Sequence, residues 1–245
     1  MIVGFAGSGN MAAAMARGWA GEFEGMLFSD SGSGRARELA GELGGEAVSN
    51  RELGERADLV VLAVKPAKLA EAAAELSGAK VVVSLLGATS LQAVADAFPA
   101  AEVHRMMPNV AVEMRKGVLC LSGPPSPAVR QKLEVLGLVV ELPDERFDAA
   151  TAVMGCAPAY LALAVEALAD AGARAGLDPE LARELVVETT AGTAELLRRR
   201  HPADVRRAVA SPGGSTEAGL EALDREGARE AFEAAVEASL ERMRG

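Results

Sequence analysis

Two glycine-rich stretches hold most of the chemistry this sequence can do. The first, Val3–Trp19, reads VGFAGSGNMAAAMARGW. An apolar run passes through Gly7-x-Gly9-x-x-Ala12 into small, helix-favouring residues, which is the spacing of a dinucleotide fingerprint. Gly7 would allow the tight turn, Gly9 the close approach of a pyrophosphate, and Ala12 the packing of helix on strand. The helix start at Ser8, Asn10 and Met11 would turn N–H donors and positive dipole toward phosphate. The plainer alternative is a turn that happens to use glycine. The second stretch is SPGGST, Ser211–Thr216, just before another helix. Pro212 sets one turn residue, and Gly213 and Gly214 would expose N–H groups beside the helix N-terminus. With Ser211 and Ser215 alongside, this makes an anion nest suited to a small carboxylate. The alternative is an ordinary Pro-Gly loop whose Ser and Thr cap the helix.

A third segment, FSDSGSGRAR (Phe28–Arg37), bears on the choice of cofactor. Asp30 lies about 20 residues beyond the glycines, where an acidic residue accepts the adenosine ribose hydroxyls and favours NADH. Ser29, Ser31, Ser33, Arg35 and Arg37 could instead hold a 2′-phosphate, which favours NADPH. Arg35 and Arg37 also read as a solvated helix face. Both NADP and NAD stay open.

The scarce residues narrow the reaction. A dehydrogenase acting on an alcohol or ketone moves a proton as well as a hydride and needs a positioned acid or base, usually His or Lys. The chain has two histidines, His104 in an apolar strand and His201 beside Pro202 at an exposed helix end. Its five lysines are Lys65, Lys68, Lys80, Lys116 and Lys132, none in the helical half that begins after Asp144. β-Hydroxyacid dehydrogenases share this layout but draw a lysine from their helical domain. A C=N substrate removes the difficulty, because a protonated imine accepts hydride without a strong enzyme acid, given orientation and desolvation. Tyr160 and Thr216 supply hydroxyls that could stand near the nitrogen.

The elements that must position these residues fall into two halves. Strand patterns occur at Met1–Ala6, Met26–Ser29, Leu59–Val64, Lys80–Ser84, Glu102–Met106, Gly117–Leu121 and Leu138–Leu142. Helical patterns such as Gly34–Leu43, Ala67–Leu76 and Ser126–Leu136 alternate with them. Alternation predicts right-handed βαβ units and a doubly wound, mostly parallel sheet, with the direction of the last strands undecided. From Asp144 onward only helices are expected: Glu145–Met154, Pro158–Ala175, Pro179–Arg200, Ala203–Val209, Thr216–Leu223 and Gly227–Met243. Asp178-Pro179 reads as a helix start, and Arg198–Arg200 suit a helix C-terminus. The boundary is placed at residues 144/145. The helix from Pro158 is apolar on every side and must be surrounded. A helical half of about 100 residues could hardly surround it alone, so a homo-oligomer interface is expected.

Bulk properties exclude other classes. The 245 residues carry a net charge of −10 with no basic, aromatic-rich patch, which argues against nucleic acid as partner. The run Ala157–Val165 falls short of the ~18 apolar residues of a bilayer span, and MIVGFAG has no basic leader. A cytoplasmic protein with no membrane association is expected. Cys120 and Cys156 are in no metal-ligand spacing, and no metal is expected. They read as two buried free thiols, with one disulfide as the alternative.

Several segments together resemble the pyrroline-5-carboxylate reductase family. GFAGSGNMAAAMARG resembles its cofactor loop, LAVKP (Leu62–Pro66) the segment after its fourth strand, and RMMPN (Arg105–Asn109) its MPN loop. APAY (Ala157–Tyr160) resembles the end of its dimer-helix motif, and SPGGST followed by AGLEAL its substrate loop. The resemblance implies an α/β Rossmann domain at 1–144 and an all-α dimerisation domain at 145–245 that interlocks with a partner subunit. Homodimers of the family assemble further in many members. It also implies reduction of 1-pyrroline-5-carboxylate, a small carboxylate, to L-proline by NADPH or NADH. Ser211 and the Gly213–Thr216 backbone would bind the substrate carboxylate, with the Thr216 hydroxyl at the ring nitrogen. Ala63, Val64, Lys65, Pro66, Met107, Pro108 and Asn109 would line the cofactor pocket. The chain departs from the family at Met154, Cys156 and Ala157, where Ser, Ser and Gly are usual. Val110-Ala111 stand in place of Thr-Pro, and Ser31 where many members carry Arg. These departures admit two other readings: a reductase of another small cyclic imine or carbonyl compound, or a non-catalytic NAD(P)-binding regulatory protein.

Overall fold

In the computed structural model, which describes residues 1–244, strand and helix alternate as far as Glu141. The order is β1 (Ile2–Ala6), α1 (Asn10–Gly18), β2 (Gly25–Ser29), α2 (Arg35–Leu43), β3 (Glu46–Ala47), α3 (Asn50–Arg56) and β4 (Leu59–Leu62). There follow α4 (Leu69–Glu75), β5 (Val81–Ser84), α5 (Leu91–Ala97), β6 (Glu102–Pro108), β7 (Gly117–Ser122), α6 (Pro127–Val135) and β8 (Gly137–Glu141). The seven expected strands form within two residues of their expected ends. β3, α3 and α5 were not foreseen. β3 is two exposed residues, and the two helices are only seven residues each, too short for a firm apolar period. Ser49 and Ser90 cap them, accepting from Glu52 and Ala93 N–H.

The sheet order is β3-β2-β1-β4-β5-β6-β7-β8. Every pairing from β3 to β6 is parallel, β6–β7 is antiparallel, and β8 runs parallel to β7. Strand order reverses between β1 and β4, the switch point at whose carboxyl ends open α/β sheets bind their ligands. Both faces are covered. On one, Phe5 stacks on Phe28 at 5.2 Å and meets Trp19 at 6.1 Å, beneath α1 and α2. On the other, Leu27, Val60, Leu62 and Val82 pack with Leu53 and Leu76 from α3 and the end of α4.

Beyond Glu141 the chain is helical. α7 (Phe147–Ala150) runs into a π-helical turn at Thr151–Gly155, then α8 (Ala157–Arg174) and α9 (Pro179–Leu197). α10 (Pro202–Val209), α11 (Ser215–Arg225) and α12 (Ala228–Arg244) complete the chain. Asp178 caps α9 by accepting from Glu180 and Leu181 N–H, as its Asp-Pro start implies. The chain divides into two compact units, Met1–Cys156 with the chain from Leu240 onward, and Ala157–Ser239. The second buries very little. Ala182, against Gly172, is the one fully buried residue among its described residues. Leu161, Leu163 and Leu168 of α8 are each more than half exposed. One expectation is corrected here. Asp144–Arg174 forms one helical stretch that is long and apolar enough, by length and composition alone, to cross a membrane. Glu166 interrupts the apolar run Ala157–Val165, but the helix continues past it through alanine and leucine.

Candidate active site

α1 starts at Gly9 with no capping side chain, so its first-turn amides are left for another acceptor. Gly7 has φ +98°, and a Cβ there would stand 2.5 Å from the Ala63 carbonyl oxygen. The glycine turn is therefore pressed against the backbone of Ala63 and Val64, at the switch point between β1 and β4. Gly9 is different: a Cβ there would meet nothing within 4 Å. This is the open cradle a dinucleotide pyrophosphate needs, and the residues present fit that group. Ala12 is fully buried, as close packing on the strand requires. Ser8 is buried and donates to the Ser29 carbonyl at 3.0 Å. Met11 is half-buried against the core, and Asn10 is exposed at the rim.

The end of β2 divides into buried and exposed parts. The Ser29 hydroxyl is buried between Asn50 Oδ1 at 2.5 Å and the Phe5 carbonyl at 3.3 Å, so it braces the strand end. Asp30 accepts from Gly32 N–H at 2.7 Å, Ala36 N–H at 2.8 Å and the Ser33 hydroxyl at 3.1 Å. The Ala36 amide is the largest cause that holds its carboxyl below the usual range. Ser31 is exposed. Arg35, the first residue of α2, donates to Asn10 Oδ1 at 2.6 Å. Asn10 and Arg35 also line a cavity of about 390 Å³ between α1 and α2.

Lys65 and Pro66 are exposed where β4 gives way to a 3-10 turn. β6 runs past the end of β5, which pairs only as far as Arg105, and carries Met107 and Pro108 beyond it. A 3-10 turn, Val110–Met114, follows, and a Cβ at Gly18 would strike its Val112 carbonyl oxygen at 2.2 Å. α1 and the turn that follows the MPN segment are thus held against each other. Asn109 is buried with both ends of its amide in use. Its Oδ1 accepts from Val118 N–H at 3.2 Å, and its Nδ2 donates to the Met154 carbonyl at 3.3 Å. The side chain braces the π-helical turn, which Cys156 N–H closes on the Thr151 carbonyl at 3.1 Å. Such turns recur at functional sites.

Arg105 opens the RMMPN motif, and sequence alone assigns it no role. It is buried, 2.9 Å from Asp144 and 3.9 Å from Asp148, with its guanidinium 4.6 Å from the Phe147 ring centre. Asp144 also accepts from Leu91 N–H at 3.1 Å. The only sequence signal was a cation inside an apolar strand, and its partners lie 39 and more residues away. Removing one partner of such a buried pair typically costs ~3–5 kcal/mol.

In the SPGGST loop the structure corrects one expectation and removes one alternative. Gly213, with φ +72°, and Gly214 do not leave their N–H groups free. Gly214 N–H donates to the Ser211 carbonyl at 2.9 Å, which closes the turn. Gly213 N–H donates to Glu217 Oε2 at 2.7 Å, because a carboxylate one helical turn along reaches back. α11 is capped by Gly214 without a side-chain bond, so Ser215 and Thr216 do not serve as caps. Thr216 is exposed, with no hydrogen bond from its hydroxyl among the described residues. The Tyr160 hydroxyl is engaged with Ser239 Oγ at 2.6 Å and the Ala235 carbonyl at 3.3 Å, and holds α8 to α12. The cysteines are both free, but only Cys120 is buried; Cys156 is half-buried, since the π-helical turn ends beside it. Burial pushes the Cys120 thiol up. His104 is buried between Glu102 and the Gly123 carbonyl, and His201 caps α10.

Residues 144–245 match the family model described as pyrroline-5-carboxylate reductase dimerisation. Residues 2–87 match one described as NADP oxidoreductase, coenzyme F420-dependent. The chain is 38% identical to the pyrroline-5-carboxylate reductase of Thermus thermophilus, over 85% of this chain and 82% of that one. Its fold is similar to the Streptococcus pyogenes 1-pyrroline-5-carboxylate reductase, with a TM-score of 0.89, 30% identity and coverage of 99% and 98%. A Plasmodium falciparum pyrroline carboxylate reductase with NADP bound gives a TM-score of 0.86, 26% identity and coverage of 99% and 97%.

Proposed function

From the premise that this chain belongs to the pyrroline-5-carboxylate reductase family, we propose how its own residues carry the family's reaction. The protein is an NAD(P)H-dependent oxidoreductase that reduces 1-pyrroline-5-carboxylate to L-proline. A reduced nicotinamide held in the Gly7–Met11 cradle would supply a hydride to the C=N carbon. The π pair moves to the nitrogen, which already carries its proton, so no strong enzyme acid is required.

Residues 1–144 serve the cofactor in this reading, and residues 145–245 serve the substrate and the partner subunit. Gly7 lets the chain turn under Ala63 and Val64, and Gly9 leaves room for pyrophosphate against the uncapped start of α1. Ser8, Asn10 and Met11 frame that start, and Ser29, Asp30 and Ser31 form the adenosine side. Val64, Lys65 and Pro66, with Met107 and Pro108, shape the nicotinamide side. Asn109 acts by holding the π-helical turn, since its amide is already engaged. The turn that Gly214 closes presents Ser211, Ser215 and the Gly213 N–H, once Glu217 yields it, to the substrate carboxylate, and the Thr216 hydroxyl accepts the ring N–H. The observation that carries the reading is shared by two helices. α1 and α11 each start at a glycine with no side chain accepting from their first amides, whereas α3, α5 and α9 are capped by Ser or Asp, and α2, which also starts at a glycine, has its Ala36 N–H taken by Asp30.

The exposed apolar face of α8 and the near absence of buried residues in Ala157–Ser239 support a homodimer through the helices, with further assembly of dimers. The enzyme acts in the cytoplasm. The test is steady-state oxidation of NADPH and NADH, with and without pyrroline-5-carboxylate. Oxidation that requires the substrate is expected. Protein that binds either cofactor but turns neither over would overturn the reading and turn attention to the altered Met154–Ala157 segment.

A further inference from the structure

Two side chains of the RMMPN segment reach across to the helical stretch that ends the sheet unit. Arg105, Met107 and Asn109 alternate onto one side of β6 and its extended continuation, where Asn109 has φ −106° and ψ 166°. Arg105 donates to Asp144, and Asn109 donates to the Met154 carbonyl. Along extended chain Arg105 and Asn109 stand about 13 Å apart. Along helix Asp144 and Met154 stand about 15 Å apart. The two spans match, so the stretch is pinned to the strand at both ends.

The pin at Arg105 is built for direction more than for stability. One guanidinium nitrogen donates to Asp144 Oδ1, a second faces Asp148, and the group lies over the fully buried Phe147 ring. The other Asp144 oxygen accepts from Leu91 N–H, which ties in the first turn of α5. Arg105 Nε is buried with no partner among the described residues. Such an orphan costs free energy, and well-packed apolar residues commonly hold a fold as well as a buried ion pair does. What a hydrocarbon lacks is the fixed planar fork. The fork sets the place of Phe147, whose carbonyl accepts from the Thr151 hydroxyl at 2.7 Å. Thr151 begins the π-helical turn, so the place of Phe147 carries through to Met154 and Cys156.

We infer that Arg105 is a positioning residue for the hydride transfer: through Asp144 and Phe147 it fixes the π-helical turn, and so sets Met154–Cys156 against Asn109. This rests on the reading of Met107–Asn109 as the nicotinamide side of the site. Arg105 acts at the start of the stretch and Asn109 at its end. With Arg105 lost, Asn109 alone holds a wide turn, and the wall beside the nicotinamide loses its fixed place.

The experiment compares Arg105→Met, the double variant Arg105→Met/Asp144→Asn, and Arg105→Lys in the full-length protein. Melting temperature, the NADPH dissociation constant, kcat and KM for pyrroline-5-carboxylate, and hydrogen exchange of amides 147–156 are measured. Arg105→Met leaves Asp144 without its counter-charge and is expected to lower the melting temperature. The double variant removes both charges and keeps an oxygen for Leu91 N–H, so its melting temperature recovers. Its kcat is nevertheless expected to stay at least ~10-fold low, with faster exchange at 147–156 and NADPH affinity within ~2-fold of the intact protein. Arg105→Lys keeps the charge without the fork, and its kcat is expected to fall about 3- to 10-fold at an unchanged melting temperature. Recovery of kcat together with the melting temperature in the double variant would reduce Arg105 to a structural role and overturn the inference. So would full kcat in Arg105→Lys, or a loss of NADPH affinity as large as the loss of kcat. An intact protein that binds NADPH but gives no turnover sinks the proposed reaction instead. Exchange at 147–156 then decides the clamp, and unchanged rates in the double variant overturn it.

Discussion

α1 and α11 begin alike, at a glycine without a side-chain cap, yet their surroundings differ. The start of α1 is set into the sheet unit: Gly7 abuts the Ala63 carbonyl, Ala12 is fully buried, and Gly9 faces open space. The start of α11 is exposed, and its loop has already spent two donors, on the Ser211 carbonyl and the Glu217 carboxylate. The difference teaches how the two sites are built. A rigid backing lets α1 keep an open, preorganised cradle. The SPGGST loop has no such backing within its unit and satisfies part of itself, with one contact to a carboxylate of its own. That contact is itself of the kind a substrate carboxylate would make.

The largest expected effect comes from filling the open cradle. Gly9 has φ −73° and ψ −179°, extended backbone open to any residue, and a Cβ there meets nothing. Gly9→Val should fold with an unchanged melting temperature and weaken NADPH binding by about 100-fold or more, ~2.7 kcal/mol. Normal affinity in the folded variant would refute the cradle. Next is Thr216→Ala. Loss of a hydrogen bond to a charged group is worth ~1.5–3 kcal/mol, so kcat/KM for pyrroline-5-carboxylate should fall about 10- to 100-fold, with the NADPH dissociation constant unchanged. A collapse of cofactor affinity instead would move this loop to the cofactor side.

The smallest effect probes the engaged donor. Glu217 competes with the substrate carboxylate for Gly213 N–H, through an exposed contact worth under ~1 kcal/mol. Glu217→Gln should therefore lower the substrate KM by about 2- to 5-fold at constant kcat. A higher KM would mean that Glu217 orders the loop for the substrate, and the contrast between the two helix starts would narrow to one of exposure alone.

Much of this was legible because it is local. The glycine spacing, the strand and helix periods and the Asp-Pro helix start are properties of neighbouring residues, and the elements they predict form within a few residues of the expected ends. What escaped depends on lone pairs and on distance along the chain. Asp30 was at the right position for a ribose, but only the folded loop shows which donors occupy it. Gly213 and Gly214 were read as open because a Pro-Gly turn hides its own closure. The β6–β7 reversal left no mark in composition, since strand periodicity is the same in both directions.

By itself the sequence determined the class of molecule: an alternating half that must form a twisted parallel sheet, a helical half too apolar to stand alone, and two glycine loops at helix starts. Backbone sterics and apolar periodicity suffice for that. Only the tertiary structure decided what each polar group is free to do. Asn109 is engaged by a carbonyl 45 residues away, Arg105 by a carboxylate 39 residues away, and Arg35 by an amide oxygen and no carboxylate among the described residues. A donor's availability is set by every acceptor within about 3 Å, and in a folded chain most of those come from elsewhere in the sequence.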